Sequence, residues 1–144
     1  MIIRADQSHL HDVTELALRL WPGHGYEDLF EELREIMARR EAAIFLTYDG
    51  ARPVGFAQCQ LRHDYVEGTS SSPVGYLEGI YVQEDCRGKG LAGRLLGACE
   101  DWASAMGCAE FASDCEVENT QSLHFHLKLG FEEANRIICF TKKL

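Results

Sequence analysis

Nothing in this 144-residue sequence approaches the run of roughly 20 apolar residues that a membrane-spanning helix requires. No secretory leader is expected either: MIIRADQSHLHD puts polar and acidic residues where a signal peptide carries an apolar core. Both absences predict a cytoplasmic protein without a membrane partner. The six cysteines (Cys59, Cys86, Cys99, Cys108, Cys115 and Cys139) contain no CxxC pair. Most sit in apolar-patterned segments, which suits reduced core thiols rather than a disulfide framework. Recurring Cys/His spacing is also absent, so no metal is expected. Positive charge is scarce: 14 Lys and Arg stand against 23 Asp and Glu, a formal charge of −9, which argues against a nucleic-acid partner. There is no internal repeat and no low-complexity linker, and the length predicts one domain over residues 1–144.

Amphipathic spacing is plentiful. Leu10, Val13, Leu16, Ala17, Leu20 and Trp21 recur at helical intervals until WPGHG breaks the pattern. Leu29, Phe30, Leu33, Ile36 and Met37 predict a second helix over about 26–40. AIFLTY (43–48), the turn DGARP and VGFAQCQLRH (54–63) read as a β-hairpin, and VGYLEGIYV (74–82) as a third strand. Leu91, Leu95, Ala98, Trp102 and Met106 trace another helix, stopped by Gly107. A strand (109–115), a helix over TQSLHFHLKL closed by Gly130, and a last strand RIICFTKKL complete the chain. The predicted class is α/β (α+β), a mixed and mostly antiparallel sheet flanked by helices, with a crossover near the glycine-rich RGKGLAG.

That glycine loop follows a strand and opens a helix, so free N–H groups and the positive end of the helix dipole would face a ligand, with phosphate the natural guest. A ligandless glycine turn is the alternative on the loop alone. It is neither a GxxxxGK[ST] phosphate loop nor a dinucleotide fingerprint. Arg87-Gly88-Lys89-Gly90-Leu91-Ala92 resembles the R/Q-x-x-G-x-G/A signature of the GNAT N-acetyltransferase superfamily. Asn119-x-x-Ser122-x-x-Phe125-His126-x-Lys128-x-Gly130-Phe131 is similar to that superfamily's second hallmark. Within it, LWPGH, RHDYVEG, SSPVGYLEGIYV, ASDCEVENT and LGFEE look like the aminoglycoside 6′-N-acetyltransferases of antibiotic resistance.

The resemblance implies a GNAT fold with splayed central strands. It also implies acetyl-CoA as cosubstrate and direct acetyl transfer to the 6′-amine of a cationic aminoglycoside. The cofactor side would comprise backbone groups of Ile80, Tyr81 and Val82 against the pantetheine arm. Arg87, Gly88, Lys89, Gly90, Leu91, Ala92 and Gly93 would lie around the pyrophosphate, with Asn119 and His126 near the arm and the sulfur. Glu78 and Asp114 would serve the amine as catalytic and substrate-binding carboxylates, with Trp21, His24, Tyr65 and Asn135 lining the pocket.

Each assignment has a plainer counterpart. Glu78 is then a water-exposed strand-edge residue, Asp114 a turn carboxylate, Trp21 core packing and His24 an ordinary loop residue. Asn119 would cap the following helix, and His126 would be a packed helical side chain where many relatives carry a proton-donating Tyr. Asn135 falls where related enzymes carry a glutamate. Strict alternation puts Glu78 on one face with Ile80 and Val82, while Gly79 suits a bulge. Family members are commonly dimers, and RIICFTKKL could support strand exchange, so a homodimer is expected. Acceptors such as a polyamine, a metabolite amine or a protein terminus, and a non-catalytic acyl-CoA sensor, remain the alternatives.

Overall fold

Five strands run in the order β1-β2-β3-β4-β5 in the computed structural model, which describes all residues from Met1 to Leu144. They are β1 (Ile2–Arg4), β2 (Ala42–Asp49), β3 (Arg52–Arg62), β4 (Val74–Val82) and β5 (Phe111–Ala112). The helices are α1 (Leu10–Leu20), α2 (Tyr26–Ala38), α3 (Leu91–Ala105) and α4 (Thr120–Lys128). Strands β1 to β4 pair antiparallel, and β5 joins β4 in parallel, as the α3 crossover requires.

Two apolar layers sandwich the sheet. On one face, Leu10, Val13, Leu16 and Ala17 of α1 and Leu29, Leu33 and Ile36 of α2 bury against Ala42, Ile44, Leu46 and Phe56. On the other, Leu95, Leu96, Cys99, Trp102 and Ala103 of α3 cover Phe45, Ala57, Cys59, Leu77 and Val82. Alternation along β2 and β3 serves both faces, which is why these strands read as nearly continuous apolar runs. Each fully buried Leu or Phe contributes about 1.5–3 kcal/mol by leaving water.

Three expectations need correction. A short first strand, β1, opens the chain; three residues give too little alternation to be read. The strand expected over 109–115 pairs only at Phe111 and Ala112, because the chain then leaves the sheet. The last strand, RIICFTKKL, makes no ladder: residues 132–144 are all exposed, with Ile138 at 80% and Phe140 at 90%. Its apolar pattern suits a strand, but no edge of this chain's own sheet pairs with it.

Candidate active site

The β3–β4 ladder slips once. Gln58 pairs with Gly79 and Cys59 with Leu77, so Glu78 is the extra residue of a β-bulge. The slip reverses the facing that strict alternation predicts. Leu77, Ile80 and Val82 all pack toward α3, whereas Tyr81 packs toward α1 and α2. Glu78 opens on the α1–α2 side, into a cleft of about 200 Å³ lined by Trp21, His24, Leu29, Glu32, Leu33 and Gln58. The inserted residue therefore keeps the carboxylate out of the apolar layer under α3, where an unpaired charge would be costly.

Gly79 allows a close approach. A Cβ there would lie 2.6 Å from Trp21 Cζ2, so the indole rests directly on the bulge. Trp21 also meets Phe56 edge-on, with ring centroids 6.1 Å apart. It is at once a half-buried packing residue and a wall of the cleft. His24 stands exposed in the turn between α1 and α2 and lines the same cleft.

Beside the bulge, the sheet opens. β4 meets β5 only at Gly75–Phe111 and Tyr76–Ala112, so toward Ile80, Tyr81 and Val82 its β5-side edge has no ladder partner. On the other edge these three residues pair with Ala57, Phe56 and Gly55. At the far end lies the glycine loop. Gly88 and Gly90 take positive φ angles of 78° and 77°, conformations that side chains disfavour. Gly90 precedes α3 with no side chain capping the first turn, which leaves its N–H groups for an anionic guest. Arg87 is tied back to β4: its Nε donates to the Val82 carbonyl at 2.9 Å, and its guanidinium sits over Tyr81. Lys89 is exposed, Leu91 and Ala92 pack partly against the α3 layer, and Gly93 faces Leu129 at the end of α4.

Asp114 lies two residues past β5 with its side chain exposed, and it accepts a hydrogen bond from the Tyr76 hydroxyl. Burial, reinforced by that bond, pushes the Tyr76 phenol well above its ordinary range, so it remains a donor. Arg62, the last residue of β3, lays its guanidinium 3.4 Å from the Tyr76 ring centroid. Its Nη2 donates to both oxygens of Glu78, at 2.9 and 3.1 Å. Glu78 and Asp114 are thus joined through Arg62 and Tyr76.

Asn119 caps α4, its Oδ1 accepting from the Ser122 N–H at 3.0 Å. His126 Nδ1 lies 2.7 Å from the Ser122 carbonyl, which can only accept, so Nδ1 carries a proton. Its Nε2 faces the Ser113 hydroxyl at 2.8 Å, and its ring packs against Phe125 and Phe131. Asn135 donates to Glu67 of the loop between β3 and β4 at 3.3 Å, and neither residue lines the cleft that Glu78 enters. Tyr65, in the same loop, is 75% exposed and does not line the cleft that Glu78 enters.

This arrangement (a bulged strand, a gap beside it and a glycine loop opening a helix) coincides with a family match. The acetyltransferase (GNAT) family matches residues 10–131. The chain belongs to this GNAT family. Aminoglycoside N(6′)-acetyltransferase type 1 of Serratia marcescens is 42% identical over 146 aligned residues, covering 100% of this chain and 99% of that protein. The protein of the same name from Stenotrophomonas maltophilia is 47% identical, covering 91% of this chain and 85% of its own length. The solved structure of AAC(6′)-Iy in complex with the bisubstrate analog CoA-S-monomethyl-acetylneamine superposes with a TM-score of 0.96, at 39% identity. It covers 100% of this chain and 98% of that one.

Four residues around Glu78 and its cleft are not marked by the sequence: Arg62, Tyr76, Glu32 and Gln58. Arg62 falls inside RHDYVEG, yet nothing local tells which carboxylate it meets. Glu32 sits on the polar side of the α2 pattern, where a charged residue ordinarily means a solvated face.

Proposed function

We propose that this chain transfers the acetyl group of acetyl-CoA to the 6′-amino group of aminoglycosides, as a single catalytic domain, and so confers resistance to them. The observation that carries the reading is Glu78, turned by its bulge into an acidic cleft beside the gap between β4 and β5. Full-length similarity to named aminoglycoside N(6′)-acetyltransferases supports the acceptor. The chain's own features fit the cosubstrate: an unpaired strand edge for an amide-rich arm and an uncapped helix start for a pyrophosphate.

Acetyl-CoA supplies an activated acyl group and a thiolate stable enough to leave. The chain does the rest. Trp21, Glu32 and His24 hold the cationic sugar against Glu78, and Asp114 anchors it from the other side of the gap. Tyr65, Asn135 and its neighbour Glu67 contact the parts of the drug that project beyond the cleft. Glu78 takes one proton of the attacking ammonium group, freeing its lone pair, and the nitrogen gives up its second proton to the departing sulfur as the amide forms. As the new N–C bond forms and the C–S bond breaks, backbone N–H groups along Ile80–Val82 steady the charge on the carbonyl oxygen. The first turn of α3, with Arg87, Lys89 and the flanking residues 88–93, receives the phosphates; Asn119 and His126 bound the gap from α4. With its proton on Nδ1 aimed at the Ser122 carbonyl and Nε2 accepting from the Ser113 hydroxyl, the His126 ring points no proton at the departing sulfur.

A cytoplasmic location and a homodimer belong to the same proposal. Free cysteines, including the exposed Cys115 and Cys139, suit the reducing cytoplasm, and no helix is long and apolar enough to cross a membrane. The exposed Ile137, Ile138 and Phe140 suit a homodimer in which RIICFTKKL adds to a partner's sheet. A sedimentation mass of one chain would dismiss the dimer.

The test is thiol release from acetyl-CoA with kanamycin. Turnover is expected, and it disappears when the 6′-amine is replaced by a 6′-hydroxyl. Release with spermidine but not kanamycin transfers the acceptor to the polyamines. Glu78→Gln lowers kcat/KM by about 10²-fold or more; an unchanged value removes Glu78 from the proton transfer.

A further inference from the structure

Glu78 is the extra residue of a bulge, and Asp114 is an exposed residue past the end of a strand. Neither is fixed by its backbone alone, yet the proposed reaction needs both at set places around one amine. What fixes them is a continuous strap. Arg62 meets Glu78 through three contacts: Nη2 to Oε1 at 2.9 Å, Nη2 to Oε2 at 3.1 Å and Nε to Oε1 at 3.2 Å. A planar donor fork gripping both oxygens sets the plane of the carboxylate. The guanidinium lies flat enough on Tyr76 to bring Cζ within 3.4 Å of the ring centroid, and Tyr76 is 7% exposed. The phenol hydroxyl then reaches Asp114.

We propose that Arg62 is a positioning residue for acetyl transfer, holding Glu78 in its productive orientation and, through the ring of Tyr76, fixing its placement relative to Asp114. The inference rests on the reading that Glu78 acts on the amine. An isolated surface ion pair would show none of this construction: here Glu78 is only 21% exposed and the arginine is clamped between a buried ring and the carboxylate. With Arg62 on the oxygens it grips, Glu78 turns its remaining lone pairs to the cleft. Glu32 and His24 face it there from α2 and from the turn before it. Lysine cannot replace the arrangement, since it offers neither a bidentate fork nor a stacking plane.

Steady-state kinetics with acetyl-CoA and kanamycin test the strap. Arg62→Gln is expected to lower kcat by about 10- to 100-fold, the cost of a misplaced reacting group. The KM for kanamycin stays level or falls, because a positive charge has left a site that binds a cation. Arg62→Lys recovers only part of kcat, and Tyr76→Phe, which keeps the ring and cuts the link to Asp114, loses a smaller factor. In a Glu78→Gln background, Arg62→Gln adds no further loss, whereas a purely structural defect would multiply. Thermal unfolding and coenzyme A binding verify that each variant is folded; should Arg62→Gln unfold, Arg62→Lys and Tyr76→Phe carry the same comparison. Wild-type kcat in Arg62→Gln, or losses that multiply with Glu78→Gln, overturn the inference while leaving the role of Glu78 standing. Wild-type kcat in Glu78→Gln alone refutes the underlying reading and takes the strap's role with it.

Discussion

Replacing Gly79 with alanine tests how the bulge and the cleft wall depend on each other. The added Cβ would stand 2.6 and 2.8 Å from two atoms of the Trp21 ring and 3.0 Å from Leu20 Cδ2. Carbon contacts settle near 3.5–4.0 Å, so the indole must retreat by about 1 Å. It cannot move inward, because its edge already meets Phe56, which is completely buried. Overpacking of this kind costs about 1–3 kcal/mol. Restricting the unfolded chain by a Gly→Ala change returns about 0.4–1 kcal/mol. The net loss is therefore about 1–2 kcal/mol, a fall in Tm of about 3 °C or more for a chain of this size. Because Trp21 walls the cleft, the KM for kanamycin should rise several-fold together with a shift in tryptophan emission, Trp102 being the only other tryptophan. In a Trp21→Ala background only the 3.0 Å approach to Leu20 remains, so the same substitution should cost much less. Equal destabilisation in both backgrounds, or wild-type stability of Gly79→Ala alone, would refute the contact as the reason for glycine.

Gly90→Ala forces a Cβ into a left-handed conformation at φ +77° and should cost about 1–2 kcal/mol while raising the KM for acetyl-CoA more than that for the drug; a selective effect on the drug would be contrary. Hydrogen bonds from the Ser71 hydroxyl and the Ser70 and Ser71 N–H groups hold the Glu110 carboxyl below its ordinary value of 4.5. A depressed carboxyl stabilises the fold above the unfolded value and loses that contribution as pH falls through the folded one. Glu110→Ala should therefore lower Tm at neutral pH, and the gap from wild type should close in acid; a gap independent of pH would exclude this linkage.

The legible parts of the fold are those whose signal is local. α1, α2 and α3 announce themselves through apolar residues at helical intervals, and Gly88 and Gly90 through their place between a strand and a helix. The bulge is readable from Gly79, but its consequence is not. A single inserted residue moves Glu78 to the opposite face, and only the pairing register of β3 shows that Glu78, rather than its neighbour, is the extra one. Arg62 and Tyr76 stay hidden for a related reason: they meet across a register that is set beyond the loop 63–73, whose length reveals nothing of the alignment. RIICFTKKL has the composition of a strand, but a strand also needs an edge to pair with, and composition does not say whether that edge belongs to the same chain. β5 fails in the opposite sense. Its pattern runs past Ala112, while its pairing with β4 ends there.

The most direct measurement is a crystal structure of the protein with coenzyme A and kanamycin bound together. The sulfur should lie in the gap between β4 and the segment after β5, with the pantetheine amides on the Ile80–Val82 edge. The 6′-amine should be within hydrogen-bond reach of Glu78, and Arg62 should still grip that carboxylate. A nucleotide bound elsewhere, or a drug whose 6′-amine points away from Glu78, would contradict the proposed site.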